Sequence, residues 1–150
     1  MFNRPSYILT NCDLVASGSS KSGSLRIARD RIAAIGETIQ PASRDTVSDL
    51  GDALVYPGLI NAHDHLELNL FPNIGQGPYA NSYEWFDEVN LLRDNTVMTD
   101  VLEIPIEDRF LWGGYRNLLS GVTTVAHHNP YHRRLFNSNF PVRVLRRYRW

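Results

Sequence analysis

The sequence predicts a mixed α/β protein, with a β-rich first third followed by alternating strands and helices. In the first third, short segments of alternating apolar and polar residues are separated by turn-forming residues. After Val55, an apolar strand-like run leads into His63 and His65, and a segment with helical periodicity follows at Ile106–Ser120. Hydrophobic residues make up 43% of the chain and charged residues 21%, which are the proportions of an ordinary globular protein.

The first third is predicted to form a small sandwich-like module of short strands. The predicted strands are Tyr7–Val15, Leu25–Ala28, Ile32–Ile35 and Ala53–Val55. The predicted connections are a Ser/Gly/Lys hairpin loop at Ser17–Gly23, a turn at Asp30-Arg31 and a polar connector at Pro41–Asp49.

The run VYPGLINAHDHLE, from Val55 to Glu67, is the most informative segment. It predicts a short strand with His63 and His65 at its far end. Residues i and i+2 of a strand face the same side, with Cα atoms roughly 6.6 Å apart at about 3.3 Å rise per residue. That spacing lets two imidazoles converge on one metal ion at about 2.0–2.1 Å per Zn–N bond. The pair is therefore a candidate metal site; the alternative is two hydrogen-bonded histidines at a strand end.

Two helices are predicted beyond this strand. Ser82–Arg93 carries apolar residues at helical spacing. Ile106–Ser120 follows Pro105, has acidic residues in its first turn and precedes Gly121, all typical of helix ends. Its apolar stripe, predicted to pack on the sheet, is Leu111, Tyr115, Leu118 and Val122. Gly113-Gly114 counts against this helix, because each glycine costs about 1 kcal/mol relative to alanine.

Further polar residues lie near the predicted strand ends. His127 and His128 should end a second strand, one pointing inward to touch substrate, support the metal or ligate it, and the other pointing into the wall. A polar strand end beside Asn129-Pro130 is the alternative. Glu67 has the strand parity of the histidines and is predicted to contact substrate or support a ligand, or to form a salt bridge at the start of a loop.

Several other residues receive structural interpretations. Asp64 is expected to anchor its strand to a neighbour, and His132 is expected to be solvated. Val142–Trp150 is a candidate third strand; its arginines and aromatics would also suit single-stranded nucleic acid, a weaker interpretation. The aromatic residues that either wall a pocket or pack in the core are Tyr79, Tyr83, Trp85 and Phe86.

PGLINAHDHLE resembles the first barrel strand of the amidohydrolase superfamily, where a Pro-Gly-Leu/Phe-Ile-Asn/Asp-x-His-x-His segment carries two metal ligands. GSLRIARDRIAAIG resembles the small β-rich domain of that family, DLGDALVYPGLINAHDH its passage into the barrel, and GVTTV its second barrel strand. The resemblance implies a small β-rich sandwich domain at residues 1–56. It also implies the start of a (β/α)₈ TIM-type barrel at residues 57–150.

The resemblance also implies an activity. Such enzymes are metal-dependent hydrolases or deaminases that act on carbon–nitrogen bonds of small, possibly cyclic, amide or amidine substrates through a metal-activated water. It assigns His63 and His65 to a divalent metal, most directly Zn²⁺. The family's remaining ligands, later histidines and a late aspartate, come from strands that this chain does not contain. The same holds for the aspartate that moves the proton.

The length of the chain bears on whether it can form a complete barrel. A complete barrel of this type takes about 250 residues, whereas this chain has 150. Three predicted strands cannot close a barrel, and an open sheet edge needs a cover. The chain is therefore expected to be the N-terminal portion of a larger enzyme, a truncated non-catalytic fragment, or one piece of a split enzyme completed by a second copy or a complementing chain.

The composition of the chain restricts its expected cellular location and binding partners. The net charge of −1 gives no case for nucleic acid or an acidic membrane as partner, so a small-molecule substrate is the expectation. The single cysteine, Cys12, cannot form an internal disulfide, which fits a reducing compartment. No signal-peptide core and no membrane-length apolar run is present, so a cytoplasmic location is expected.

Overall fold

The computed structural model describes residues 6–16, 18–92 and 94–147. These residues divide into two compact units, one up to Pro57 and the other from Gly58 onward. The first unit contains only strands, whereas the second combines strands with helices. The predicted mixed α/β class is therefore confirmed.

The first unit is a four-stranded sheet in the order β3-β2-β1-β4. Its strands are β1 Ser6–Ala16, β2 Ser19–Ala28, β3 Arg31–Gly36 and β4 Asp45–Val55. Strands β1, β2 and β3 pair antiparallel in sequence order, and β4 pairs parallel to β1. Ile8, Cys12 and Leu25 are its buried hydrophobic residues. Burial, with the nearby Asp13 carboxylate, raises the pKa of the Cys12 thiol, which keeps it protonated and inert.

The four predicted strands are confirmed, but two predicted connections are too long. Strand β2 begins at Ser19, because Gly18 with φ 79° provides a tight turn; Ser17 itself lies outside the described residues. Strand β4 begins at Asp45, so the polar connector ends there and not at Asp49. Its polar residues still form a strand because β4 pairs with β1 along its length. Tertiary pairing here overrides weak local β propensity.

The second unit contains a parallel three-stranded sheet in the order β5-β6-β7. The strands are β5 Leu59–Asp64, β6 Val122–His127 and β7 Arg143–Val144, with helices α1 Ser82–Leu91, α2 Thr96–Glu103 and α3 Ile106–Leu119. Short 3₁₀ turns lie at Leu66–Leu68 and Arg133–Phe136. The buried hydrophobic cluster comprises Leu66, Phe110, Val125, Leu135, Val142 and Val144.

Helix α3 occupies the predicted segment but buries a different face. Tyr115 and Leu118, from the predicted stripe, remain 52% and 42% exposed. The buried residues are Arg109, Phe110, Gly113, Gly114 and Asn117. A Cβ atom on Gly113 would lie 2.2 Å from the Leu66 carbonyl oxygen, so the glycine allows the helix backbone to approach this turn. The glycines that counted against the helix are therefore the residues that let it pack.

The remaining elements of the second unit agree in part with the sequence. Helix α1 begins at the predicted Ser82, where the Asn81 side chain accepts hydrogen bonds from two backbone amides, but it ends at Leu91. Helix α2, capped by Asn95, was not predicted. The third predicted strand is reduced to Arg143–Val144, and residues 148–150 lie outside the described residues. In the described part of the chain, no helix combines the length and apolarity needed to cross a membrane.

Candidate metal centre

His63 and His65 come together at the carboxyl end of β5. Their Nε2 atoms lie 3.3 Å apart, and the two rings meet at an interplanar angle of 69°. Two ligands at tetrahedral positions about one zinc ion, each about 2.0–2.1 Å away, are separated by about 3.3–3.4 Å. The pair therefore fits two adjacent positions of a tetrahedral metal site.

His128 joins this pair from the neighbouring strand end. Its ring centroid lies 4.5 Å from that of His63 and 5.4 Å from that of His65. The backbone amide of His128 donates to the Asp64 carbonyl oxygen at 2.7 Å, which continues the pairing of β5 with β6. Three imidazoles thus form what we call the histidine cluster: His63, His65 and His128.

His127 points into the protein. It is 1% exposed, packs edge-on against Phe110 with ring centroids 5.7 Å apart, and accepts a 3.4 Å hydrogen bond at Nδ1 from the Leu66 amide. Burial is the largest cause that lowers the pKa of His127, opposed by the Glu67 carboxylate. The structure thus separates two adjacent histidines, one buried and one beside His63 and His65.

Glu67 lies beyond the end of β5, in the 3₁₀ turn Leu66–Leu68. The strand ends at Asp64 and a 3₁₀ turn follows, so the parity argument from the sequence fails at this position. Glu67 is buried; one carboxylate oxygen accepts a hydrogen bond from Asn129, and the other lies 3.9 Å from Nε2 of His127. The contacts described for Glu67 are thus within the protein interior.

Asp64 and His132 have structural contacts. The Asp64 carboxylate anchors the end of β5: it accepts hydrogen bonds from the side-chain amides of Asn61, Asn69 and Asn117. His132 is not simply solvated. Its Nδ1 accepts from the Arg134 amide at the start of a 3₁₀ turn, and its Nε2 lies 3.5 Å from a Glu107 carboxylate oxygen.

A cleft of about 610 Å³ opens beside His63 and His65. Tyr79 and Trp85 line it, as one of the sequence interpretations expected, whereas Tyr83 and Phe86 are exposed outside it. The other lining residues are Asp64, Leu68, Asn69, Phe71, Pro72, Asn73, Ile74, Val89, Met98 and Arg116. The cleft is therefore largely apolar, with two imidazoles at one side, which is the usual character of a small-molecule site.

Several cleft residues were not indicated by any sequence pattern. Asn69 and Arg116 are 47 positions apart, and an Arg116 guanidinium nitrogen donates to the Asn69 carbonyl oxygen at 2.8 Å. Met98 lies on the unpredicted helix α2. Their positions depend on long-range packing, and a single asparagine or arginine in a loop or on a helix surface carries no local signal.

The described residues contain no complete metal site. Within residues 6–16, 18–92 and 94–147, no group of three or more His, Cys, Asp or Glu side chains is arranged to hold a metal ion. The His128 ring is tilted by 32° against that of His63. A catalytic zinc site uses three protein ligands and an open position, so His63 and His65 fit two of the ligands needed.

The curated proteins that are similar to this chain are deaminases. No protein-family model matches the chain. It is 33% identical over 93 residues to a 5'-deoxyadenosine deaminase of Methanothermobacter thermautotrophicus, covering 59% of the chain and 22% of that relative. It is 45% identical over 58 residues to a 5-methylthioadenosine/S-adenosylhomocysteine deaminase of Caldanaerobacter subterraneus subsp. tengcongensis, covering 39% of the chain and 12% of that relative. The matched part thus spans less than a quarter of these curated relatives.

Solved structures of similar fold include a triazine hydrolase from Arthobacter aurescens, with a TM-score of 0.65 at 23% identity over 85% of the chain and 29% of that structure. An N-isopropylammelide isopropylaminohydrolase from Burkholderia multivorans has a TM-score of 0.58 at 18% identity over 83% of the chain and 29% of that structure. The curated relatives are deaminases and the structural neighbours include amidohydrolases. These comparisons confirm the resemblance to the amidohydrolase superfamily, and the chain corresponds to a portion of such longer enzymes.

Proposed function

We propose that this chain carries part of the active site of a metal-dependent hydrolase that cleaves carbon–nitrogen bonds, other than peptide bonds, in small amide or amidine substrates, some of them cyclic. The observation that carries the proposal is the 3.3 Å separation of the His63 and His65 Nε2 atoms beside a largely apolar cleft. Without a shared metal, two imidazole nitrogens at this distance form a hydrogen bond in which one donates to the other. A shared divalent ion, most directly Zn²⁺, uses both as ligands.

The fold supports this assignment. We propose that residues 57–150 are the first strands and helices of a (β/α)₈ barrel and that residues 1–56 are a small β-rich domain. Strands β5, β6 and β7 are parallel and adjacent in sequence order, and helix α3 lies in the connection between β5 and β6. His63 is the last residue but one of β5 and His128 follows β6, so both lie at carboxyl strand ends, where barrel enzymes carry their active sites.

The chain's own residues have distinct tasks in this proposal. His63 and His65 hold the metal, which when bound supplies the Lewis acidity that activates water and polarises the substrate. His128 packs beside both rings and limits their movement. Tyr79 and Trp85 line the cleft and provide flat surfaces for a planar substrate. Glu67 acts only from the interior, because its contacts are with Asn129 and His127.

The curated relatives suggest a starting set of substrates. Their names specify deamination of 5'-deoxyadenosine, 5-methylthioadenosine and S-adenosylhomocysteine. In each of these molecules an amidine-type carbon of the adenine ring bears the amino group that leaves as ammonia. Adenine is planar and suits a cleft with Tyr79 and Trp85 in its wall. We therefore propose adenine nucleosides as the first substrates to test.

The metal site requires ligands beyond the two histidines. In this proposal the missing ligands and the proton-transferring aspartate lie outside the described residues, on further sequence of the same protein or on a complementing chain. A second candidate is a fragment without catalytic activity. It is favoured by one observation, that the described residues contain no complete metal site.

Two measurements on one purified sample test the proposal. Plasma mass spectrometry gives the metal content, and size-exclusion chromatography gives the mass of the species. About one zinc per chain in a discrete species, lost in His63→Ala, is the expected result. Release of ammonia from the three adenine nucleosides then tests the chemistry. A discrete wild-type species that takes up no divalent metal, even when the sequence that carries the missing ligands is supplied, would rule out the assignment of His63 and His65. Metal binding without turnover would favour the fragment.

A further inference from the structure

Asp64, which lies between His63 and His65, is at the centre of a cluster of side-chain amides. Its Oδ2 accepts hydrogen bonds from Nδ2 of Asn61 at 2.9 Å and from Nδ2 of Asn117 at 2.6 Å. Its Oδ1 accepts from Nδ2 of Asn69 at 2.6 Å. A carboxylate is an acceptor with room for about four hydrogen bonds, and bonds to an ionised acceptor are roughly twice as strong as neutral ones. Three amide donors are therefore held by one side chain.

Two of these amides also bind the backbone of the histidine pair. The Asn61 Oδ1 accepts from the His63 amide at 3.3 Å. The Asn69 Nδ2, besides binding Asp64, donates to the His65 carbonyl oxygen at 3.2 Å. One asparagine thus links the backbone of each histidine to the Asp64 carboxylate: Asn61 for His63 and Asn69 for His65.

The backbone of Asp64 connects to the third imidazole. Its carbonyl oxygen accepts the His128 amide at 2.7 Å. All three members of the histidine cluster are therefore joined to Asp64, two through side-chain amides and one through the main chain.

Helix α3 provides the fixed end of this arrangement. Asn117 is buried, its Nδ2 also donates to the Gly113 carbonyl oxygen at 2.9 Å, and its Oδ1 accepts from Asn61 at 3.0 Å. Gly113 packs directly against the Leu66 carbonyl oxygen, so this part of the helix cannot move relative to the segment after His65 without breaking close contacts. Asn117 therefore presents its amide to Asp64 from a rigid element.

We propose that Asp64 is the positioning residue of the histidine cluster: through Asn61, Asn69 and Asn117 it sets the relative placement of His63, His65 and His128 before metal binds. The inference rests on the proposed metal function of His63 and His65 and adds the residue that prepares them. Outer residues that orient ligands typically contribute tenfold to a hundredfold to metal affinity. Asp64 acts through its neighbours and is not itself a ligand in this proposal.

The test uses Asp64→Asn, which keeps the shape of the side chain but removes its charge and replaces one acceptor oxygen with an amide nitrogen, which cannot accept a hydrogen bond. Asn117→Ala removes the tie to helix α3 and leaves the carboxylate. Val142→Ala, in the hydrophobic cluster and away from Asp64, is the control for a general loss of stability. The three variants are made in the 150-residue chain. Their zinc affinity is measured by competition with a chromophoric chelator. The absorption spectrum of bound Co²⁺ is a second probe of ligand geometry.

Asp64→Asn is expected to weaken zinc binding about tenfold or more and to change the Co²⁺ spectrum, with a smaller change in the same direction for Asn117→Ala. Val142→Ala should leave the affinity of the folded protein within about twofold of wild type. Equal affinities for Asp64→Asn and wild type, or an equal loss in Val142→Ala, would overturn the positioning role.

Histidine ring resonances in the metal-free chain separate this inference from the proposed function. The Cε1–Hε1 resonances of His63, His65 and His128 should move in Asp64→Asn, while that of His132 stays in place. If these three resonances do not move, the inference fails whatever the metal result. If wild type binds no zinc while the resonances move as expected, the metal function fails and the positioning role of Asp64 is retained.

Discussion

The Nε2 atoms of His63 and His65 lie 3.3 Å apart at the end of β5, close to the spacing of two ligands on one tetrahedral zinc ion. Strand alternation places both rings on one side, and the third imidazole of His128 packs against them. The cleft beside them is built mostly from residues that follow β5 in the chain, including those of α1. The candidate site thus combines one strand end with side chains from the following loop and from helices α1, α2 and α3.

Zinc should stabilise the folded chain through His63 and His65. A ligand present at a hundred times its dissociation constant adds about 2.7 kcal/mol to the free energy of unfolding. We expect zinc to raise the unfolding temperature of wild type and a chelator to reverse the effect. His63→Ala and His65→Ala should not respond. The matched control is His132→Ala, which removes a 3₁₀-turn contact and should respond as wild type does; a full response in His63→Ala would contradict the assignment.

Gly113→Ala should destabilise the second unit although alanine favours helix. Helix propensity alone predicts a gain of about 1 kcal/mol, but the new Cβ atom would meet the Leu66 carbonyl oxygen at 2.2 Å. A backbone shift of this kind costs typically about 1–3 kcal/mol. Gly114→Ala is the control, because its Cβ atom would meet the Phe140 ring at 3.1 Å, a side chain that can adjust. The midpoint of urea unfolding measures both; a more stable Gly113→Ala would show that α3 packs differently.

His127 and His128 should behave differently when replaced one at a time. His127→Ala leaves a cavity beside Phe110 and removes the acceptor of the Leu66 amide, so we expect a loss of about 2 kcal/mol or more in the free energy of unfolding. His128→Ala should cost less than about 1 kcal/mol but weaken zinc binding, because the ring packs on His63 and His65. Urea unfolding and zinc competition measure the two effects. A reversed pattern would show that His128 is the structural residue.

The Asp45 carboxylate should make the first unit sensitive to acid. Hydrogen bonds from Ser6 and the Ala42 amide, together with Arg26, lower the pKa of Asp45. Its unfolded-state pKa is about 3.9. A lowered folded pKa favours the folded state above that value, and the contribution is lost as the pH falls below about 4 through the folded pKa.

Asp45→Asn should therefore be less stable than wild type at pH 7 and should lose less stability between pH 5 and pH 2. Asp30→Asn, at an exposed turn residue, serves as the control and should follow the wild-type profile. Urea unfolding at a series of pH values gives the comparison. Parallel profiles for wild type and Asp45→Asn would show that the ion pair does not persist in solution.

The local elements were largely predictable. Apolar residues around a polar middle identified the strand at Tyr7–Val15, and alternation identified the strand at Leu25–Ala28. Pro105 and Gly121 bounded helix α3. The strand at Asp45–Val55 was only partly recognised, because its polar residues have little β propensity and are ordered by pairing with β1. Helix α2 is short and has no acidic or basic end signal, so periodicity alone did not reveal it.

The sequence by itself determined the strand at whose carboxyl end His63 and His65 lie, because alternation along one strand is a local property. Tertiary structure decided which face of α3 is buried, since the close contact of Gly113 with Leu66 outweighs the apolar stripe. It also decided which of two adjacent histidines joins the cluster. The contact of Asp64 with Asn117, 53 positions away, exists only because the chain folds back through α3. Contacts across such distances depend on the packing of whole elements, and no local pattern encodes them.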